Sequence, residues 1–171
     1  MPELIAPTTR LHASWLEARA EWPADAHLDG HGLHPGDDVA SPAGFAALVA
    51  RLHAEADPFV EPAAGWVHCT YRWIVEDDRF LGSVSLRHRL NDALFERGGH
   101  IGYGVRPSAR RRGLAGWALG ATLPLARSLG LDRVLVTCTE DNVASARTIE
   151  RNGGALEDVR EGYRRYWIAL A

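Results

Sequence analysis

Apolar positions along the chain alternate between a helical spacing and a strand-like spacing, and the switches between the two lay out its elements. After a short strand-like start at Glu3–Ala6, Leu11, Trp15, Leu16 and Ala18 fall near helical spacing and predict a helix over 9–22. Ser41 as N-cap and Pro42 at the first helical position open a second helix, whose apolar face is Phe45, Leu48, Val49 and Leu52. Residues 66–75 and 80–90 are rich in β-branched and aromatic residues around the polar turn Glu76-Asp77-Asp78, which predicts an antiparallel hairpin. A strand over 99–105 ends at Pro107, and a long apolar helix over 112–129 stops at Gly130, with a bend expected at Pro124. A buried strand over 133–139, a helix over 143–151 and two strands over 155–160 and 163–170 close the chain. Strand, helix, strand in the middle implies a right-handed crossover and a locally parallel pair. With hairpins on either side, the sheet must be mixed.

The stretch 23–42, rich in Gly, Pro, Asp and His, reads as a long loop, and loops of this length in a compact domain are commonly functional. At 171 residues, 46% of them hydrophobic and 24% charged, the chain is expected to form a single domain over 1–171. No apolar run reaches membrane-spanning length and the start at Met1 lacks a signal peptide's pattern, so no membrane partner and a cytoplasmic location are expected. Cys69 and Cys138 sit in apolar strand-like runs and read as buried thiols. Net charge is −3, and all 19 basic residues are arginine, because the sequence contains no lysine. That balance gives no support to a nucleic-acid partner, and a chain without lysine cannot carry a P-loop.

One segment changes the picture. Arg110-Arg111-Arg112-Gly113-Leu114-Ala115 lies between the strand 99–105 and the long helix. A strand feeding a helix through a turn points unpaired N–H groups at one spot, where the helix dipole also favours negative charge. Three arginines strengthen the preference for an anion, and the small Gly113 and Ala115 leave the backbone open to a diphosphate.

These residues resemble the acyl-CoA signature of the GNAT superfamily of N-acetyltransferases, met by Arg110, Gly113 and Ala115. The resemblance extends through the following strand to Asn142 and Ser145 and to Glu150-Arg151-Asn152-Gly153-Gly154, which are similar to the superfamily's second cofactor motif. It implies a mixed α/β (α+β) GNAT fold: a central, mostly antiparallel sheet with a splayed parallel strand pair, flanked by helices. It also implies acetyl-CoA as co-substrate. The backbone N–H groups from Arg110 through Arg111, Arg112, Gly113 and Leu114 to Ala115 would hold the pyrophosphate. Tyr103 and Val105 would offer main-chain groups to the pantetheine arm, Asn142 and Ser145 would hydrogen-bond it from the other side, and an N–H near Val105 would face the thioester carbonyl.

The implied chemistry is direct attack of an amine on the thioester, so something must take the amine's proton. His100, on the strand beside the expected splay, is the first candidate for that base and Glu140 the second. Ile149 stands where many relatives carry the tyrosine that protonates the departing thiolate. Tyr103 and Tyr163 are the substitutes. His27, His31 and His34 have a metal-like spacing but no firm further ligand, and no metal is expected. Their loop reads instead as a wall of the acceptor site, its Asp25, Asp29, Asp37 and Asp38 suited to a cationic amine. A small-molecule primary amine is the expected acceptor, with a protein or peptide amine, or a non-catalytic acyl-CoA-binding module, as alternatives. Dimerisation through the terminal strands is compatible with the fold.

Overall fold

The computed structural model describes residues 1–171. Strands β1 (Glu3–Ile5), β2 (Cys69–Glu76), β3 (Arg79–Arg87) and β4 (Ile101–Val105) form one antiparallel sheet in that order. Strands β5 (Arg133–Thr139), β6 (Ala155–Arg160) and β7 (Tyr163–Ala169) form a second, in the order β5-β7-β6. Helices α1 (His12–Arg19), α2 (Pro42–Ala56), α3 (Asp92–Glu96), α4 (Leu114–Ser128) and α5 (Val143–Arg151) flank them.

The predicted elements form where the periodicity puts them. Ser41 caps α2 by accepting from Gly44 N–H at 3.0 Å. The first helix is shorter than its apolar pattern, because residues 9–11 form a 3-10 turn before α1 begins. Short α3, capped by Asn91, has no buried residue, so no hydrophobic face announces it in the sequence. α4 remains one helix through Pro124.

Strand alternation sorts the core into two layers. Cys69, Tyr71 and Trp73 of β2 turn to one face and pack with Leu11, Trp15, Phe45, Leu48 and Leu52 under α1 and α2. Val84, Leu86 and Ile101 turn to the other face and join Leu119 and Ala126 of α4, Ile149 of α5, and Val134, Val136 and Tyr166 of the second sheet. Ile149, fully buried, is therefore core and not a stand-in for a catalytic tyrosine.

The pair expected to run parallel, β4 and β5, carries no ladder of its own. The two sheets meet at one place. His100 N–H donates to Leu135 C=O at 2.7 Å, and the His100 imidazole Nδ1 accepts from Leu135 N–H at 2.8 Å. A side chain thus supplies the acceptor that a strand carbonyl would normally provide. Beyond that joint the strands separate and leave a gap.

Arg165 departs from its neighbours in the chain. Its place in the Arg160, Arg164, Arg165 cluster suggests a solvated strand face, yet Arg165 is fully buried. Its guanidinium pairs with both Asp158 oxygens, donates to Phe95 C=O and lies 4.7 Å from the Phe95 ring centroid.

Candidate active site

The turn between β4 and α4 is built for an anion. Gly113 sits at the N-cap with φ 75°, a left-handed conformation that glycine takes without a Cβ penalty. The first N–H with a protein acceptor past the turn is Trp117, bonded to Gly113 C=O at 3.0 Å. The N–H groups of Arg111 through Gly116 have no acceptor in the protein, whereas Arg110 N–H is held by Pro107 C=O at 3.3 Å. The open run therefore lies one residue further along than the sequence motif suggests. Of the three arginine side chains, Arg110 Nε donates to Val105 C=O and Arg112 pairs with Glu76 at 2.6 Å, which leaves Arg111 without an internal partner.

Behind this turn is a contact that the sequence does not announce. Arg106, 3% exposed, donates from Nε to Glu21 Oε1 at 2.9 Å and from Nη1 to Phe80 C=O at 3.0 Å. Glu21 also accepts from Ser108 N–H and hydroxyl. The bond from Arg106 holds the Glu21 carboxyl down at about 2, against the effect of burial. The end of α1 is thereby fastened to the start of the turn.

Hydrogen-bond parity in β4 decides what faces the gap. Arg87 N–H bonds to His100 C=O and Arg106 N–H to Leu81 C=O, so past the His100 N–H, which Leu135 holds, the even-numbered residues spend their backbone groups on β3. Ile101, Tyr103 and Val105 consequently direct theirs toward β5. The gap is a cavity of about 450 Å³ whose walls include Tyr103, Thr137, Cys138, Asn142 and Ser145. Tyr103 Oη and Ser145 Oγ are 2.7 Å apart, and burial raises the Tyr103 phenol to about 12, so it stays protonated at neutral pH. Asn142 Oδ1 caps α5 through Ser145 N–H at 3.1 Å. The Cys138 thiol is raised by burial. It stays in the neutral form at neutral pH.

Neither candidate base is placed for its role. His100 is 4% exposed and outside the walls of the gap; its Nδ1 lone pair is taken by Leu135, and burial lowers its imidazole to about 4. Glu140 is exposed and also outside the gap, with its main chain bonded to Gly162 and Arg164.

A second cavity of about 290 Å³ lies beside the first and shares His27, Asp29 and Arg87 with it. Its apolar walls include Leu28, Leu33, Trp66, Val67, Tyr71 and Leu94. Tyr71 hydroxyl donates to Glu55 at 2.7 Å, and Arg51 bridges Glu55 and Asp37, so one wall is a connected polar network. The three loop histidines part company: His27 lies 3.1 Å from Asp29, His34 packs against Trp66 with the two rings tilted at 52°, and His31 is buried with Nδ1 bonded to Asp29 C=O. His31 is lowered to about 4, chiefly by burial.

Residues 49–155 match the family described as acetyltransferase (GNAT) domain, which is more than half of the chain. No protein of curated function matches the sequence. Among solved structures, RimJ of Mycobacterium smegmatis in complex with CoA-disulfide is 21% identical, with a TM-score of 0.70 over 98% of this chain and 81% of that one. RimL, a ribosomal alpha-N-protein acetyltransferase in complex with coenzyme A, is 18% identical, with a TM-score of 0.69 over 99% and 94%. An acetyltransferase from Salmonella typhimurium that modifies the N-terminal serine of a 50S ribosomal subunit protein is 17% identical, with a TM-score of 0.64 over 99% and 95%. At these identities the likeness is one of fold.

Proposed function

The chain belongs to the GNAT acetyltransferase family, and from that premise we propose that it transfers the acetyl group of acetyl-CoA to the α-amine of a polypeptide. The observation that carries the donor half is the open run of N–H groups from Arg111 to Gly116 at the head of α4. It fits a pyrophosphate, with Arg111 free to add charge. Main-chain groups of Tyr103 and Val105 would pair with the pantetheine amides, Asn142 Nδ2 would reach them from the opposite wall, and the Val105 N–H would receive the oxyanion.

In the transfer itself the amine lone pair attacks the thioester carbon, and collapse of the tetrahedral species breaks the C–S bond. The departing thiolate takes a proton from the Tyr103 hydroxyl, which Ser145 holds in place. Tyr103 thus fills the role for which Ile149, buried in the core, is useless.

For the acceptor, the small-molecule amine expected from sequence gives way to the polypeptide. Trp66, in the wall of the neighbouring cavity, is 54% exposed, and Phe59 and Val60, a few residues before it in the chain, are exposed at 96% and 43%. Large apolar groups left in water along one segment that also lines the cavity suit a partner bigger than the cavity. The similar folds include enzymes described as acetylating ribosomal proteins.

The test is thiol release from acetyl-CoA with short peptides bearing free or blocked α-amines, run beside polyamines, aminoglycosides and free amino acids. The free peptides should be acetylated on the α-amine and the blocked ones should not. Faster turnover of a small amine would overturn the acceptor, and coenzyme A binding without thiol release from any amine would overturn the enzyme.

A further inference from the structure

We propose that His27 and Asp29 form the base that takes the proton of the attacking amine, a role that rests on the acetyl transfer read above. With His100 and Glu140 out of reach, the base has to stand where the acceptor cavity opens into the gap. His27, Asp29 and Arg87 are the residues common to both cavities. Arg87 is a cation, and its guanidinium donates to the carbonyls of Gly98 and Gly99 at 3.1 Å each, so it accepts nothing. The imidazole and the carboxylate remain.

Their geometry is that of an oriented base. His27 Nε2 lies 3.1 Å from Asp29 Oδ1. With the Nε2 proton directed at the carboxylate, Nδ1 keeps its lone pair, and no protein donor occupies it. When Nδ1 gains a proton, the adjacent carboxylate stabilises the imidazolium, as in other His–Asp pairs.

Both side chains are exposed, yet the backbone that carries them is pinned. Asp29 C=O accepts from His31 Nδ1 at 2.9 Å, and Gly30 C=O accepts from the buried Ser83 hydroxyl at 2.7 Å. Gly30 has φ 78°, and a Cβ there would come within 2.7 Å of Gly102 O. A Cβ on Gly104 would in turn meet Asp29 O at 2.9 Å. The loop lies directly on the Gly102–Gly104 face of β4, and the two glycines of that strand make the approach feasible.

Alternation then separates the two proton transfers. Gly102 and Gly104 face the loop, while Tyr103 points to the opposite face, where it meets Ser145. The amine would enter from the loop side, form its C–N bond and give its proton to His27 Nδ1. The thiolate would leave on the other side and take its proton from Tyr103. An amine and a thioester become an amide and a thiol, and solvent resets both groups.

The full-length His27→Ala variant, assayed with a peptide that the parent acetylates, tests this. The expected loss in kcat is about 100-fold, the contribution typical of a positioned base, with about tenfold loss in Asp29→Asn. The KM for acetyl-CoA should stay the same, and because both side chains are exposed the melting temperature should hold. Added imidazole should restore turnover in His27→Ala and not in Tyr103→Phe. Parent-like kcat in His27→Ala overturns the proposal. So does a loss confined to peptide KM that imidazole leaves untouched, which would make His27 a binding residue. A parent chain that binds acetyl-CoA yet acetylates no amine removes this proposal together with the function beneath it.

Discussion

The proposed donor side and the proposed acceptor side of this molecule are made in opposite ways. The donor side is backbone: a strand with one edge open, a turn with its N–H groups free, and a capped helix, all supplied between Ile101 and Ser145. The acceptor side is side chains gathered from the loop at 27–34, from α2, from the start of β2, from β3 and from the segment around α3. Backbone sites need only a local conformation, so nearby residues specify them. Side-chain sites need distant segments to converge, so they vary without disturbing the fold.

The sharpest way to strain that contrast is at Glu21, which belongs to neither motif yet anchors the donor turn. Glu21→Ala leaves Arg106 buried without its carboxylate and should cost about 3–5 kcal/mol of stability, read as a fall in melting temperature. The same pair gives a pH dependence. Because the Glu21 carboxyl is held near 2 in the fold against about 4.5 for an ordinary glutamate, its contribution is complete above about pH 4.5 and disappears as the pH falls toward 2. Thermal melts of parent and variant across that range should converge at the acid end. If they stay apart, Arg106 is held by something else.

Tyr103→Phe probes the border between the two sides. It keeps the ring and removes the proton, so kcat should fall by about 100-fold with both KM values little changed. In the parent enzyme the phenol, raised to about 12, should impose no alkaline loss of activity below about pH 10. An unchanged kcat in the variant would leave the thiolate to depart unaided.

Trp66→Ala should have the smallest effect and the cleanest one. Removing a half-exposed wall of the acceptor cavity should raise peptide KM by several-fold, about 1 kcal/mol, and leave acetyl-CoA KM alone. If acetyl-CoA KM moves as much, the two sides are not independent.

Legibility in the sequence follows the same division. The turn at Gly113 and the helix start after Asn142 are legible because caps and turns are local chemistry with few solutions. His100 reads as a free imidazole in the sequence because its neighbours in the chain reveal nothing about Leu135, thirty-five residues away, whose N–H it satisfies. The Arg106 and Glu21 pair spans 85 residues, and neither partner differs in the sequence from an ordinary surface charge. His27 and Asp29 were visible as polar loop residues, but their meaning depends on Ser83 and on the bare face of β4 beneath Gly30. The glycines of Gly99 to Gly104 were the available signal: two alternate positions without side chains on one strand face mark a place where another backbone lies close.

The imidazole joint between the sheets has one more consequence. Zipping two strands together is cooperative, and each rung positions the next. At Leu135 the rung is closed by a side chain, so there is no carbonyl register to hand on, and the zipper stops. What remains past His100 is a pair of inner edges with backbone groups to offer and only each other, too far apart, to offer them to. Edges of that kind usually invite aggregation, but here the loop resting on β4 and the cap of α5 close the slot to another folded chain. A thin, amide-bearing tether, such as the pantetheine arm of the proposed donor, would complete the sheet, and the protein's secondary structure would then be finished by its substrate.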